Sequence, residues 1–176
     1  MGKTNKNAIA MSLDLYIKSG KTKQERGTGV YVRENGRTVE LKTLDEVKKH
    51  FPNADFSHIR EDIYETNIVW HENITHNLGE MARNVPIGCL SLYDYLWHPK
   101  EHGFEKVSEE YRKGIFEGLQ FLKNHKEELL DFEPPADPDT GKRWGDYNVL
   151  VSFCNSLALC LSELNRSEVR EIESDV

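Results

Sequence analysis

A chain of 176 residues, 38% hydrophobic and 30% charged, is long enough to bury one core and too short for two domains of ordinary size. Its 23 basic and 30 acidic residues leave a net charge of −7, so no broad phosphate-neutralising surface is expected and direct nucleic-acid binding is disfavoured. No apolar run approaches the ~20 residues that cross a bilayer, and Met1 to Ala10 lacks the apolar stretch of a signal peptide; the expectation is a cytoplasmic protein without membrane contact.

In chain order, residues 1–10 read as a flexible leader, with Met11 as an alternative start of the folded part. Leu13, Leu15 and Ile17 alternate with polar residues, the period of a half-buried strand. Lys18 to Arg26, rich in Lys, Gly, Ser and Thr, reads as a mobile loop carrying the one concentrated positive patch, Lys18, Lys21, Lys23 and Arg26. Val30 to Val32 and Val39 to Leu41 flank Asn35-Gly36, a strong hairpin signal because both turn residues tolerate positive φ. Thr43 and Glu46 form a capping-box pattern for a short helix ending before Pro52.

Ile63 to Trp70 predicts a second strand leading into a polar block, His71 to Asn77, with Asn73 as candidate cap of a helix that reaches Asn84. Helices are expected over residues 90–96, from Ser108 to about Leu129, and from about Tyr147 to Leu164. The stretch Glu133 to Arg143, with three prolines and Gly141, reads as an exposed loop, and residues 166–176 as a charged, frayed tail. The fold class is therefore α+β: one domain over 11–165, with a small antiparallel sheet packed on a bundle of about four helices. That sheet is expected to contain the N-terminal strand, the hairpin and the strand before the polar block.

The polar block places amide, hydroxyl and imidazole groups where a strand gives way to a helix, a junction that can hold a polar or anionic ligand. The competing reading is that Asn73 or Thr75 caps the helix while His76 and Asn77 stabilise the turn. His76 is the natural acid or base if there is a reaction, because imidazole titrates near neutrality. Tyr93, Trp97, Trp144 and Tyr147 are aromatics suited either to line a ligand pocket or to close the core. The pairs His71/His76 and His98/His102 lack the His-Glu-x-x-His carboxylate, and Cys89, Cys154 and Cys160 lack Cys-x-x-Cys spacing, so neither a metal nor a cofactor is expected. The familiar nucleophile and phosphate loops are missing from the sequence.

Met11 to Asp14, Arg33-Glu34-Asn35-Gly36, Asn73-Ile74-Thr75-His76-Asn77-Leu78 with Met81-Ala82, Leu96-Trp97 with Pro99 and Gly103, and Trp144-Gly145 with Tyr147 carry a resemblance over nearly the whole chain from Met11 onward. In these residues the chain resembles a family of small proteins encoded by bacteriophages, prophages and other mobile elements. The leader and the histidines at 98 and 102 depart from that pattern. The resemblance implies a setting, an accessory protein acting against host defences, and puts functional weight on Asn73, Thr75, His76 and Asn77. Two readings follow. One is a binding module capturing a small polar ligand such as a nucleotide, or a host protein, with Asn73, Thr75, His76, Asn77, Tyr93, Trp97, Trp144 and Tyr147. The other, ranked second for want of a nucleophile, is a small hydrolase or transferase using His76 as acid or base.

Overall fold

A computed structural model describes residues 12–34 and 37–176. The leader, Met11 and the Asn35-Gly36 turn lie outside the described residues. Strand β1 (Ser12–Gly27) is the middle of a three-stranded antiparallel sheet, between β4 (Asp62–Thr75) and β7 (Arg170–Asp175). The alternation read from Leu13, Leu15 and Ile17 is real: all three are fully buried, and they stand opposite Ile74, Glu72 and Trp70 of β4. This face lies against the helices, where α4 (Glu109–Asn124) and α6 (Tyr147–Glu163) supply Ile115, Leu122, Leu150, Phe153 and Leu161 to the same core. Each such side chain contributes about 1.5–3 kcal/mol by leaving water.

Three expectations about the sheet are corrected, the last of them at the hairpin. The Lys18 to Arg26 segment is strand, not mobile loop: after an irregularity in register, Lys23 to Gly27 pair with Asp62 to Thr66. Residues 20–24 of that ribbon are all exposed, so it has no apolar alternation to reveal it. Its positive patch is largely neutralised, by Lys18–Glu173 at 2.8 Å, Arg26–Glu61 at 3.6 Å and Lys23 with Glu25. The charged tail likewise forms β7 rather than fraying, anchored by buried Ile172 opposite Ile17.

The hairpin is present as β2 (Val30–Glu34) and β3 (Arg37–Leu41), with Glu34 opposite Arg37. It forms its own two-stranded sheet instead of joining the main one. Helix α1 (Leu44–His50) follows, with the capping box of Thr43 and Glu46 closed, and Val47 buried beneath it. Such a cap is worth ~1 kcal/mol.

Strand β4 runs through the polar block to Thr75, so the helix expected from Asn73 starts later, as a 3-10 turn (His76–Leu78) followed by α2 (Gly79–Arg83). A small hairpin, β5 (Pro86–Ile87) with β6 (Leu90–Ser91), leads to α3 (Leu92–Trp97), capped by Ser91 and Asp94. Gly114 lets α3 approach α4 closely, since a Cβ there would lie 2.2 Å from the Tyr95 ring. The long helix from Ser108 breaks at His125, whose φ of −122° is not helical and whose ring stacks on Phe121; α5 (Lys126–Leu129) continues beyond it. The described residues thus hold six α-helices where about four were expected. None of these helices is long and apolar enough to cross a membrane.

Candidate functional site

Strand pleating separates the members of the polar block. Glu72 and Ile74 point towards the helices, where the Ser156 hydroxyl joins Glu72 and accepts from Trp70 Nε1 at 3.0 Å. His71 and Asn73 belong to the opposite face: His71 stacks on Tyr16 at 4.3 Å and meets Asp14 at 2.8 Å, while Asn73 Oδ1 accepts from Arg33 Nη1 at 3.1 Å. Arg33 Nη1 also donates to Thr38 Oγ1 at 2.8 Å, so the guanidinium bridges the small hairpin to the end of β4.

Thr75, not Asn73, is the cap. Its Oγ1 accepts from the Asn77 N–H at 3.3 Å to open the 3-10 turn, and the residue is buried. Asn77 itself is exposed. His76 turns the other way. Its Nδ1 accepts from Trp97 Nε1 at 2.7 Å, which puts the proton of the neutral ring on Nε2, and Nε2 is buried without a partner among the described residues. Burial first, and the nearby charge of His98 second, hold the His76 pKa below the ordinary imidazole value. Trp97 is fully buried, and Tyr93 stacks on it at 5.0 Å with the Arg83 guanidinium 3.8 Å over the Tyr93 ring. His98 meets Glu101 at 3.2 Å and His102 meets Asp94 at 3.3 Å. No group of three His, Cys, Asp or Glu side chains among the described residues comes together as a metal site.

Thr75, by contrast, borders a cleft of about 420 Å³. Its walls are Arg33 of β2, the loop from Asp137 to Asp146, and Val149 in the first turn of α6. The loop is ordered by its own hydrogen bonds. Asp137 Oδ1 accepts from the N–H groups of Asp139 and Thr140 at 2.8 and 2.9 Å, which holds its carboxyl below the usual range. Glu133 accepts from Arg143 at 2.6 Å and from the Tyr147 N–H at 3.0 Å, tying the loop to the start of α6. Asp146 caps that helix through the Val149 N–H at 2.9 Å.

Gly145 closes the joint at φ 93°, and a Cβ there would sit 2.6 Å from Thr75 Cγ2. Trp144, one residue earlier, is left 64% exposed on the cleft wall. Tyr147 is buried: its hydroxyl donates to the Leu122 carbonyl at 2.6 Å, and burial raises its pKa.

Of the eight residues singled out from sequence, then, Thr75 and Trp144 wall the cleft, and Asn73 touches it through Arg33. His76, Tyr93 and Trp97 form a separate stack, Tyr147 closes the core, and Asn77 faces solvent. Arg33, Asp137, Thr140, Lys142 and Asp146 were not singled out. The one sequence signal that could have found them is a tryptophan closing a polar Pro/Gly loop, since an exposed indole there has no core to serve. The polar groups on the wall are the hydroxyls of Thr75 and Thr140, the carboxylates of Asp137 and Asp146, and the cations Arg33, Lys142 and Arg143, with no histidine or cysteine among the described residues there.

A second groove, of about 370 Å³, lies between β4 and α6 beside exposed Val69 and Leu159, but Ser156 at its edge is spent on Trp70 and Glu72. Comparison with protein-family models, with curated proteins and with solved structures finds no match for this chain.

Proposed function

We propose that the protein is a non-enzymatic binding module that captures a small polar ligand in the cleft between the β2–β3 hairpin and the 137–146 loop. The observation that carries this reading is Trp144: a large aromatic held 64% exposed beside a formed cavity, on a joint that Gly145 fixes against Thr75. An indole kept out of the core in this way is a stacking surface for a ligand ring. The resemblance to proteins of mobile elements supplies the setting, an accessory protein in the host cytoplasm that sequesters a small molecule used in host defence. The alternative of a small hydrolase or transferase finds less support, because its acid–base group, His76, is engaged by Trp97 away from the cleft.

Isothermal titration against sugars, amino acids, nucleosides and nucleotides tests the reading, with Trp144→Ala as control. At least one ligand should bind without turnover, and Trp144→Ala should weaken it by roughly 1–3 kcal/mol, the worth of one ring stacked on an aromatic side chain. Silence across the panel, or binding that ignores Trp144→Ala, overturns it.

A further inference from the structure

We infer that the ligand of this cleft is a free 5′-mononucleotide, with its base stacked on Trp144 and its phosphate held between Arg33 and Lys142; the inference rests on the capture reading above. Arg33 carries most of the weight. Both of its hydrogen bonds leave from Nη1, to Thr38 Oγ1 and Asn73 Oδ1, and both acceptors are neutral. The side chain is therefore pinned by one nitrogen. Its Nε and Nη2 donors, the pair that matches two oxygens of a phosphate, have no partner among the described residues.

Lys142 stands on the opposite wall, also without a carboxylate partner among the described residues, whereas its neighbour Arg143 is already committed to Glu133. Two cations without a carboxylate partner among the described residues thus line one cavity, in a chain of net charge −7. An exposed indole in the same cavity adds the surface a base requires.

Size and charge narrow the class. A cavity of about 420 Å³ falls near the lower end of small-molecule sites, which run from about 300 to 1,000 Å³. Asp137 and Asp146 on the walls, and the acidic chain around them, oppose a polyphosphate tail or an extended strand while leaving acceptors for sugar hydroxyls. One phosphate and one base fit this balance better than many.

Tryptophan fluorescence and calorimetric titrations with AMP, GMP, CMP and UMP, their nucleosides, inorganic phosphate and a single-stranded tetranucleotide test the assignment. At least one mononucleotide should bind about 10-fold or more tightly than its nucleoside, the effect of charge-assisted bonds to phosphate, and more tightly than phosphate alone. Arg33→Gln should erase that preference while leaving the nucleoside affinity in place, and Trp144→Ala should weaken nucleotide and nucleoside together. Equal affinity for nucleotide and nucleoside, indifference to Arg33→Gln, or tighter binding of the tetranucleotide overturns the assignment. A neutral ligand that binds through Trp144 while every nucleotide fails would reject the mononucleotide and leave the capture reading standing; failure of all ligands rejects both.

Discussion

Thr75 and His76 are neighbours in sequence and belong to different parts of the molecule. On one side, His76 accepts from a fully buried Trp97, which is itself covered by Tyr93 and Arg83. On the other, Thr75 packs on Gly145 and borders a cleft overhung by an exposed Trp144. Each half contains a tryptophan. The difference shows that a run of polar residues at a strand end is not one site: the last residue of β4 faces the cleft, and the first residue of the turn faces the core. Function then belongs to whichever half leaves its groups open.

The sharpest way to break this contrast is to remove each indole. Trp97→Ala deletes a fully buried side chain and strips His76 Nδ1 of its donor, so a loss of about 3–5 kcal/mol is expected in urea denaturation. Trp144→Ala removes an exposed ring and should stay within ~0.5 kcal/mol of the parent protein. Similar losses at both positions would mean that Trp144 is a core residue, and the cleft would lose its claim to function.

Next in size is Gly145→Ala, which tests whether the joint between the loop and β4 shapes the cleft. The backbone there sits at φ 93°, and the new methyl would meet Thr75 Cγ2 and Leu78 Cδ1 at 2.6 and 3.1 Å. A cost of about 1–3 kcal/mol is expected for the strain, at roughly 2–4 °C in Tm per kcal/mol for a chain of this length. Because Thr75 is the atom neighbour that must yield, the variant should weaken ligand capture as well as stability. An unchanged melting curve would show that the loop relaxes freely away from the strand.

What could be read from the sequence follows the range of the interaction. The alternation of Leu13, Leu15 and Ile17 and the capping box at Thr43 are local patterns that appear where expected, and the amphipathic spacing from Ser108 does so as far as Asn124, short of the expected end near Leu129. Strand β7 has one buried apolar anchor, Ile172, among charges, so nothing local distinguishes it from a solvated tail; its pairing with β1 at the other end of the chain holds it. The hairpin was legible but its place was not, because the Arg33–Asn73 bond that seats it spans 40 residues. For the cleft, the sequence offered Thr75 and Trp144, while the cations that give it character depend on that same long-range placement. Tyr147 was ambiguous for a physical reason: a phenol serves a pocket wall or a core carbonyl equally well, and only the position of Leu122 decides.

The smallest expected effect is a pH dependence confined to the His76 half. With its folded pKa held below the 6.5 of a free imidazole, His76 resists protonation in the native protein, whereas the unfolded chain takes up the proton near that value. Between the two pKa values the unfolded state therefore binds more protons, and stability falls as pH falls. The contribution is complete above about pH 6.5 and is lost on descending through the folded pKa. His76→Gln keeps an acceptor for Trp97 Nε1 without a titrating group. Denaturation midpoints measured at pH 7.5 and 5.5 should thus drop less in His76→Gln than in the parent, while the two proteins should bind any ligand of the proposed cleft equally at pH 7.5. A parallel fall in both would assign the pH dependence to other groups, and a loss of affinity in His76→Gln would join the two halves of the polar block that the hydrogen bonds keep apart.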